Sequence, residues 1–390
     1  MKRTYFAAAA LLAFASTASA QSAVTLYGVV DQGLSYTKDV VDANHPSKGN
    51  NQLEIKSGNQ PFSRFGLRGT EDLGAGLSAV FVLEGNVALN GGQSFVDSLF
   101  GRQAFVGLSS RNAGTVTMGR QFGAANDYVA PFGMASGWAG ALGSHYGNFD
   151  TLYNQEGRKN TIKYASANYQ GFSLGGTVSL SGKAGAITDG LSFSAGARYA
   201  NGPMHFGAAF VKNSLSDDEL NTHGHRVNAS LAAADANQAA SHAFTTNAAL
   251  AKKAQIILLG GSYTYGPAKV GLIFTNTKLS DSLIVDNRIN KNAQLKTNNI
   301  EGNLRYHASP ALLLGIGYNY TIAKAPDANI KVHQLTLGGR YDLSKRTDIY
   351  LTASGQVIKN GGPLRAKLYG NEMSTGDKQL GIRAGIRHAF

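Results

Sequence analysis

The sequence predicts an all-β fold, a transmembrane antiparallel β-barrel of about sixteen strands with one long loop after strand 5 folded into the lumen. Three observations predict it. Apolar residues recur one in two along about sixteen segments, nearly all of about ten residues or longer, the length that crosses a bilayer at a tilt. Between these segments, short Gly/Asn/Pro turns and longer polar loops alternate strictly. Finally, 48 glycines, 8 prolines and no cysteine accompany a mean hydropathy of −0.16. A soluble secreted protein fits that last observation too. So does a barrel whose apolar residues are dispersed along strands instead of gathered in blocks.

The N-terminus precedes the pattern. Lys2 and Arg3 form a positive start, Tyr5 to Ala15 an apolar core, and Ala18-Ser19-Ala20 a cleavage site. Residues 1–20 therefore read as a secretory signal, and residues 21–390 as the mature chain beginning at Gln21. Removal of Lys2 and Arg3 lowers the formal charge from +12 to +10. No later segment has eighteen consecutive apolar residues, so no transmembrane helix follows. An exported chain without cysteine must draw its stability from sheet and packing. Its Lys and Arg are scattered, without the clustered basic face of a nucleic-acid-binding protein, so nucleic acid is not expected as a partner.

The strands follow in order from Gln21. VTLYGVVDQGLSY (24–36) leads into a polar loop to about residue 60. FSRFGLRGTED (62–72) and LSAVFVLEGNVAL (77–89) flank LGAG, and RQAFVGLSS (102–110) and GTVTMGRQ (114–121) flank RNAG. After the long loop, NTIKYASANY (160–169) and FSLGGTVSLSG (172–182) meet at Gln170-Gly171. LSFSAGARYA (191–200) and MHFGAAFVK (204–212) meet at Asn201-Gly202-Pro203. AQIILLGGSYTY (254–265) and AKVGLIFTNTK (268–278) meet at Gly266-Pro267. NIEGNLRYH (299–307) and LLLGIGYNYTI (312–322) meet at Ser309-Pro310. KVHQLTLGGRYD (331–342) and TDIYLTASGQV (347–357) turn around Leu343 to Arg346, and KQLGIRAGIRHAF (378–390) closes the chain.

Two faces emerge from the alternation. In 172–180, Phe172, Leu174, Val178 and Leu180 oppose Ser173, Gly175, Thr177 and Ser179. A β-sandwich alternates as well, but so many long strands with one-sided short turns do not suit it. Closure leaves no unpaired strand edge in lipid, where each unsatisfied backbone group costs several kcal/mol. Tyr27, Tyr164, Tyr169, Tyr199, Tyr265, Tyr306 and Tyr341 sit near strand ends, where aromatic girdles lie. Residues 214–253, with the acidic Asp217-Asp218-Glu219, read as an enlarged external loop carrying a short helix, or as a hidden hairpin that raises the strand count by two.

The loop at 122–157 has too many glycines for a stable helix and no alternation for a strand. It is too long for a connector. Held between two strands beside fixed charges, it is placed to fold inward and narrow the lumen. Arg64 and Arg68 share a face opposite Phe65 and Leu67, Arg102 lies opposite Gln103 and Phe105, and Glu84 opposite Phe81 and Leu83. A charge on the lipid face at mid-membrane costs roughly 2–4 kcal/mol, so these side chains are assigned to the water side. Two readings stand: lumen polarity of no particular role, or a basic wall of Arg64, Arg68, Arg102, Arg120 and Arg158 facing Asp127, Asp150 and Glu156. That all five arginines come from strands that precede or follow the long loop favours the wall. No nucleophile–base spacing, phosphate cradle or metal-ligand set accompanies them, so neither enzyme chemistry nor a cofactor is expected.

VTLYGVVDQG, SRFGLRGTEDLGAGLSAVFVLE, GRQAFVGLSS, GTVTMGRQFG, RKNTIKYAS and the terminal GIRHAF, in this order, resemble the general diffusion porins of Gram-negative outer membranes, of the beta-proteobacterial type. The resemblance spans nearly the whole mature chain. It implies a water-filled passive pore for small hydrophilic solutes and ions, lying in the outer membrane amid lipid and lipopolysaccharide. It also implies a constriction loop after strand 5, a homotrimer, and a C-terminal Phe390 read by the barrel-assembly machinery. Arg64, Arg102 and Arg158 match the family's basic-cluster positions, and Glu84 its companion acid. The small or polar outward positions Gly28, Gln32 and Gln103 suit the trimer contact. Two features depart from the family: Pro131-Phe132-Gly133 lacks a neighbouring acid, and 214–253 is long. The excess of arginine predicts a preference for anions. Alternatives are a substrate-specific channel and a barrel serving mainly as adhesin or receptor through its external loops.

Overall fold

Alternation that buries one face and exposes the other suits strands that separate two solvents, and the chain folds accordingly. The computed structural model describes residues 23–42, 48–58, 62–92, 98–153, 157–185, 188–214, 251–280, 283–285, 288–290, 294–325, 328–360 and 365–390. The expected leader and its cleavage site lie outside the described residues, as do Glu156 and 215–250.

Sixteen antiparallel strands close into a barrel. They are β1 (Ala23–Val41), β2 in two segments (Gly49–Ser57 and Arg64–Gly74), β3 (Leu77–Asn86), β4 (Gln103–Ser110), β5 (Gly114–Gln121), β6 (Arg158–Ala165), β7 (Phe172–Ser179) and β8 (Ser192–Asn201). The second half comprises β9 (Met204–Ser214), β10 (Lys253–Tyr265), β11 (Ala268–Ser280), β12 (Leu295–His307), β13 (Leu312–Ala325), β14 (Ala328–Asp342), β15 (Thr347–Lys359) and β16 (Lys378–Ala389). β16 pairs with β1 over Val29↔Ala389 to Lys38↔Leu380, which leaves no edge. A small hairpin, Leu283–Val285 with Arg288–Asn290, lies outside the barrel sheet between β11 and β12.

Two expectations are corrected in this framework. The polar stretch before residue 60 contains the first segment of β2, whose Leu53 and Ile55 face outward and pair with β1. The chain then leaves the ladder and re-enters at Arg64, opposite Val29. Second, β9 and β10 pair directly, Ser214 with Lys253, so no hidden hairpin enters the barrel between them.

The exposed face of the sheet is apolar: Leu26, Val106, Leu272, Ile300, Leu337 and Leu351 are all about half exposed or more. A free apolar belt of this extent requires lipid or protein around it. Tyr164, Tyr169, Tyr199, Tyr265, Tyr306 and Tyr341 are exposed at the short-turn end and form one girdle. Tyr27 is the exception. It shares the inward parity of Asp31, and its hydroxyl donates to Glu84 Oε2 at 3.0 Å.

The segment after β5 makes only short helical turns, none longer than five residues, at Ala125–Val129, Ala130–Phe132, Ala135–Ala139, Gly140–Gly143 and Tyr146–Asn148. It packs on the inner face of the strands from β8 to β15. Ala125, Tyr128, Val129 and Phe132 cover Ala209, Val211, Ile256, Leu258 and Ile273. Trp138 and Met134 pack with Leu313. The indole lies where Gly315 and Gly338 leave room, since a Cβ at either position meets the ring. The stretch between β15 and β16 also turns inward, with Ala366, Leu368 and Met373 buried and Tyr369 edge-on to Tyr153.

Candidate functional site

The inward segment is held by polar groups of the opposite wall. Asn303 Nδ2 donates to Phe132 O at 3.0 Å, and Gln334 Nε2 donates to Leu142 O and Ser144 O at 2.9 and 3.1 Å. At the centre of this seam His145 is clamped between two carboxylates, Nδ1 donating to Asp150 Oδ2 at 2.5 Å and Nε2 to Glu301 Oε2 at 3.0 Å. Asp150 further accepts from Thr275 Oγ1 (2.8 Å) and Asn299 Nδ2 (3.3 Å), and Glu301 Oε1 from the Met134 N–H (2.7 Å). Burial alone lowers the His145 pKa. The two carboxylates outweigh it, Asp150 most, and raise it to about 10. Asp150 responds in the opposite sense: burial pushes it up, but the imidazolium and the hydrogen bonds hold it below the usual carboxylate range. The clamp is therefore an imidazolium with two carboxylates at neutral pH.

Across the remaining space stands the wall of β1–β4. Glu84 forms an ion pair with Arg64 Nε at 3.2 Å and accepts from Arg102 Nε at 2.7 Å and the Tyr27 hydroxyl. The Arg68 guanidinium stacks 5.1 Å from the Tyr27 ring centroid, and that of Arg102 lies 5.1 Å from the Phe122 ring. Arg102 and Glu84 are buried (6 % and 4 % exposed), Arg64 is partly exposed and Arg68 exposed. Three guanidinium charges against one carboxylate leave the cluster positive. Beside it lies a cavity of about 500 Å³ lined by Arg68, Gln103, Phe105, Thr117, Gln121 and Lys163, among others.

The structure brings together Arg64, Arg68, Arg102 and Glu84, and separates the others. Arg102 reaches the cluster although the parity assigned to it fails: Gln103 and Phe105 themselves face the lumen. Arg102 stands just before β4, where the chain is not yet extended, and its side chain turns in independently. Gln103 is correspondingly unavailable to an outer-face contact. Arg120 is in register with Ala104, on the face of Val106 and Met118, and donates to Gly157 O. It straps the end of the long loop and is not part of the wall. Arg158 Nη2 donates to Ser192 Oγ (2.9 Å) and Ser214 O (3.2 Å), at the long-loop end of β8 and β9.

The acids differ from expectation as well. Asp150 is fully buried under the segment, not lumen-facing. Asp127 forms an ion pair with Lys163 Nζ at 2.6 Å; burial raises its pKa and Lys163 opposes that shift. His145, Glu301 and Lys163 were missed by sequence reasoning. A lone histidine in a loop and a lone glutamate in a strand carry no local signal of pairing across 156 residues. Lys56 was missed too: it donates to Gly370 O (2.7 Å) and Asn371 Oδ1 (3.2 Å), tying down the inward stretch before β16.

A closed sixteen-stranded barrel with an apolar belt, a polar interior and an inward-folded segment beside a charged wall is the architecture of a transmembrane channel. Residues 7–356 match the Gram-negative porin family, and the chain belongs to that family. It is 31% identical to an outer membrane porin protein of Bordetella pertussis and 30% identical to outer membrane porin protein 32 of Delftia acidovorans, in both cases over 100% of each chain. Among solved structures it is similar to an anion-selective porin from Comamonas acidovorans, with a TM-score of 0.70 and 24% identity, over 95% of this chain and 100% of that one.

Proposed function

We propose that the chain forms a passive, water-filled pore of the outer membrane through which small hydrophilic solutes and ions diffuse, with a preference for anions. The observation that carries the preference is the charge arrangement at the inward segment. Arg64 and Arg102 share one carboxylate, Glu84, and Arg68 beside them stacks on Tyr27 without a carboxylate partner among the described residues, whereas the described acids of the segment are spent on Lys163 and His145. The segment from 122 to 157 is the constriction, and the space between it and the β1–β5 wall is the path. A solute crossing there meets net positive charge in a medium that screens over about 8 Å at physiological salt. Single-channel recording of the refolded protein in a salt gradient tests the reading. Anion-selective ohmic conductance is expected, and the absence of any conducting state overturns it.

The mature protein is exported with residues 1–20 removed and assembles as a homotrimer, with Phe390 serving the assembly machinery. Support for the last point lies in the closure: Phe390 and Gly28 exchange backbone hydrogen bonds at 3.1 Å in both directions, and the Phe390 ring covers Gly28. A heat-sensitive oligomer on detergent gels is expected. Monomer at all temperatures contradicts the trimer.

A further inference from the structure

The short-turn end of the barrel holds a second group of cations that the constriction does not use. Arg198 of β8, Lys269 of β11 and Arg305 of β12 stand within three residues of the short-turn ends of their strands. Each has inner-face parity, Arg198 with Ser194, Lys269 with Ile273, and Arg305 with Glu301 and Asn303. Lys269 and Arg305 are directly paired across the β11–β12 ladder. Arg198 lies within electrostatic reach of Lys269. All gather beneath the Pro131–Phe132 turn of the inward segment: Arg305 Nη2 donates to Pro131 O at 3.3 Å, and the Arg198 guanidinium lies 5.8 Å from the Phe132 ring centroid.

Among the described residues none of these three cations forms an ion pair. The nearest carboxylate on β12, Glu301, is committed to His145, to Asn303 and to the Met134 N–H. Arg198's remaining hydrogen bond goes to His205 Nδ1 (2.9 Å), which accepts it and brings no negative charge. Like charges at directly opposed positions destabilise a sheet. Arg305 has a structural use in holding Pro131 and Arg198 a stacking partner, but Lys269 makes no side-chain hydrogen bond among the described residues. Glu301 acts on Arg305 at a distance, but no carboxylate pairs with Lys269 or Arg198 among the described residues, which leaves the group open to a counter-charge from solution at the end of the barrel that short turns mark as periplasmic.

We propose that Arg198, Lys269 and Arg305 form a periplasmic-side binding site for multivalent oxyanions, distinct from the Glu84 cluster. The proposal rests on the pore reading above. An oxyanion with two or more charges spans the Lys269–Arg305 pair and takes charge-assisted hydrogen bonds from both, with Arg198 closing the third side. A monovalent halide gains far less, so the site slows polyvalent solutes selectively as they cross the mouth.

The test is block of single channels in KCl by inorganic pyrophosphate or citrate, applied to each side in turn. Wild-type channels are expected to show stronger block from one side. Lys269→Gln, whose side chain bonds nothing in the inward segment, is expected to weaken that block about fivefold, with unitary conductance and the chloride preference retained; Arg198→Gln is expected to do the same. Arg64→Ser/Arg102→Ser is expected to change selectivity and leave the sided block in place. Block by pyrophosphate but not citrate restricts the site to phosphate-bearing solutes and still supports it. Block unaltered by both Gln variants, or abolished only by the Arg64/Arg102 change, overturns the site while the pore reading stands. Anion-selective channels that neither probe blocks do the same, whereas no conductance at all overturns the pore reading itself.

Discussion

Replacing Arg64 and Arg102 together by serine tests the basic wall most directly. The cluster holds three arginines and one glutamate, so the double change leaves Arg68 against Glu84 and removes the local excess. For an ion passing at roughly 8 Å through water, each lost charge is worth about 0.5 kcal/mol. Two lost charges act with opposite sign on anion and cation, and shift the permeability ratio by about thirtyfold without salt and about fivefold at 0.1 M. Conductance should rise as two long side chains leave the wall. Arg68→Ser is the control. Its guanidinium is exposed and has no carboxylate partner among the described residues, so it should produce about half the effect in the logarithm of the ratio without stranding Glu84. Reversal potentials in a tenfold KCl gradient give the ratio. A wild type that prefers cations refutes the reasoning, as does a ratio that neither variant moves.

Four further outcomes follow from the loop, the seam and the closure of the barrel. His145→Gln strands two buried carboxylates, and breaking such a pair costs about 3–5 kcal/mol; lower thermal stability and noisier open-channel current are expected. The stability that the raised His145 pKa contributes is full below about 6.5 and lost as pH rises through about 10, and that from the lowered Asp150 pKa is lost as pH falls through its folded value. In the folded barrel His145 keeps its proton until about pH 10 and Asp150 its charge to below the usual carboxylate range, so conductance should be flat from about pH 5 to 9. A smooth slope across that window contradicts the clamp. Gly338→Leu should push Trp138 off the wall at a cost of about 1–3 kcal/mol in thermal unfolding, whereas Gly355→Leu, with nothing within 4 Å of its Cβ direction, should cost little. Deleting Phe390 should reduce the yield of heat-modifiable barrel, and unchanged yield counts against its role in closure.

The strands were legible because a bilayer enforces what a soluble core does not, an apolar residue at every second position on one face. Segments that depart from strict alternation were misread, and each departure has a cause. Phe105 is aromatic yet inward, lining the cavity, so parity judged from it placed Gln103 on the outer face, and Tyr27, aromatic near a strand end, is bonded to Glu84 instead of joining a girdle. Leu53 and Ile55 alternate correctly, but amid asparagine and lysine their short run carried little signal. The run Ile256-Ile257-Leu258-Leu259 is instructive. Ile257 and Leu259 are about half exposed and face out, while Ile256 and Leu258 are fully buried inside, under Val129 and Phe132. Continuous apolarity in a barrel strand is the mark of an inner face that something covers, and here it locates the landing place of the inward segment.

Charges were countable in the sequence, but their pairing was not. Asp127 and Asp150 are the described acids of the segment, and a count sets them against the arginines as the opposite side of a transverse field. In the folded chain each is consumed in attachment, Asp127 by Lys163 and Asp150 by His145. A paired charge acts on a passing ion as a dipole, whose influence falls faster with distance than that of a monopole. The field at the opening is therefore set mainly by Arg64, Arg68 and Arg102 around Glu84, and weakly by the paired acids of the segment. This also explains how the segment tolerates a wall of like charge. Its grip comes from buried apolar contacts and the imidazolium clamp on the far side of the barrel, so the wall needs no acid from the segment; Arg64 and Arg68 stay partly or fully exposed to the solute, and Arg102, buried between Glu84 and the Phe122 ring, adds its charge from behind.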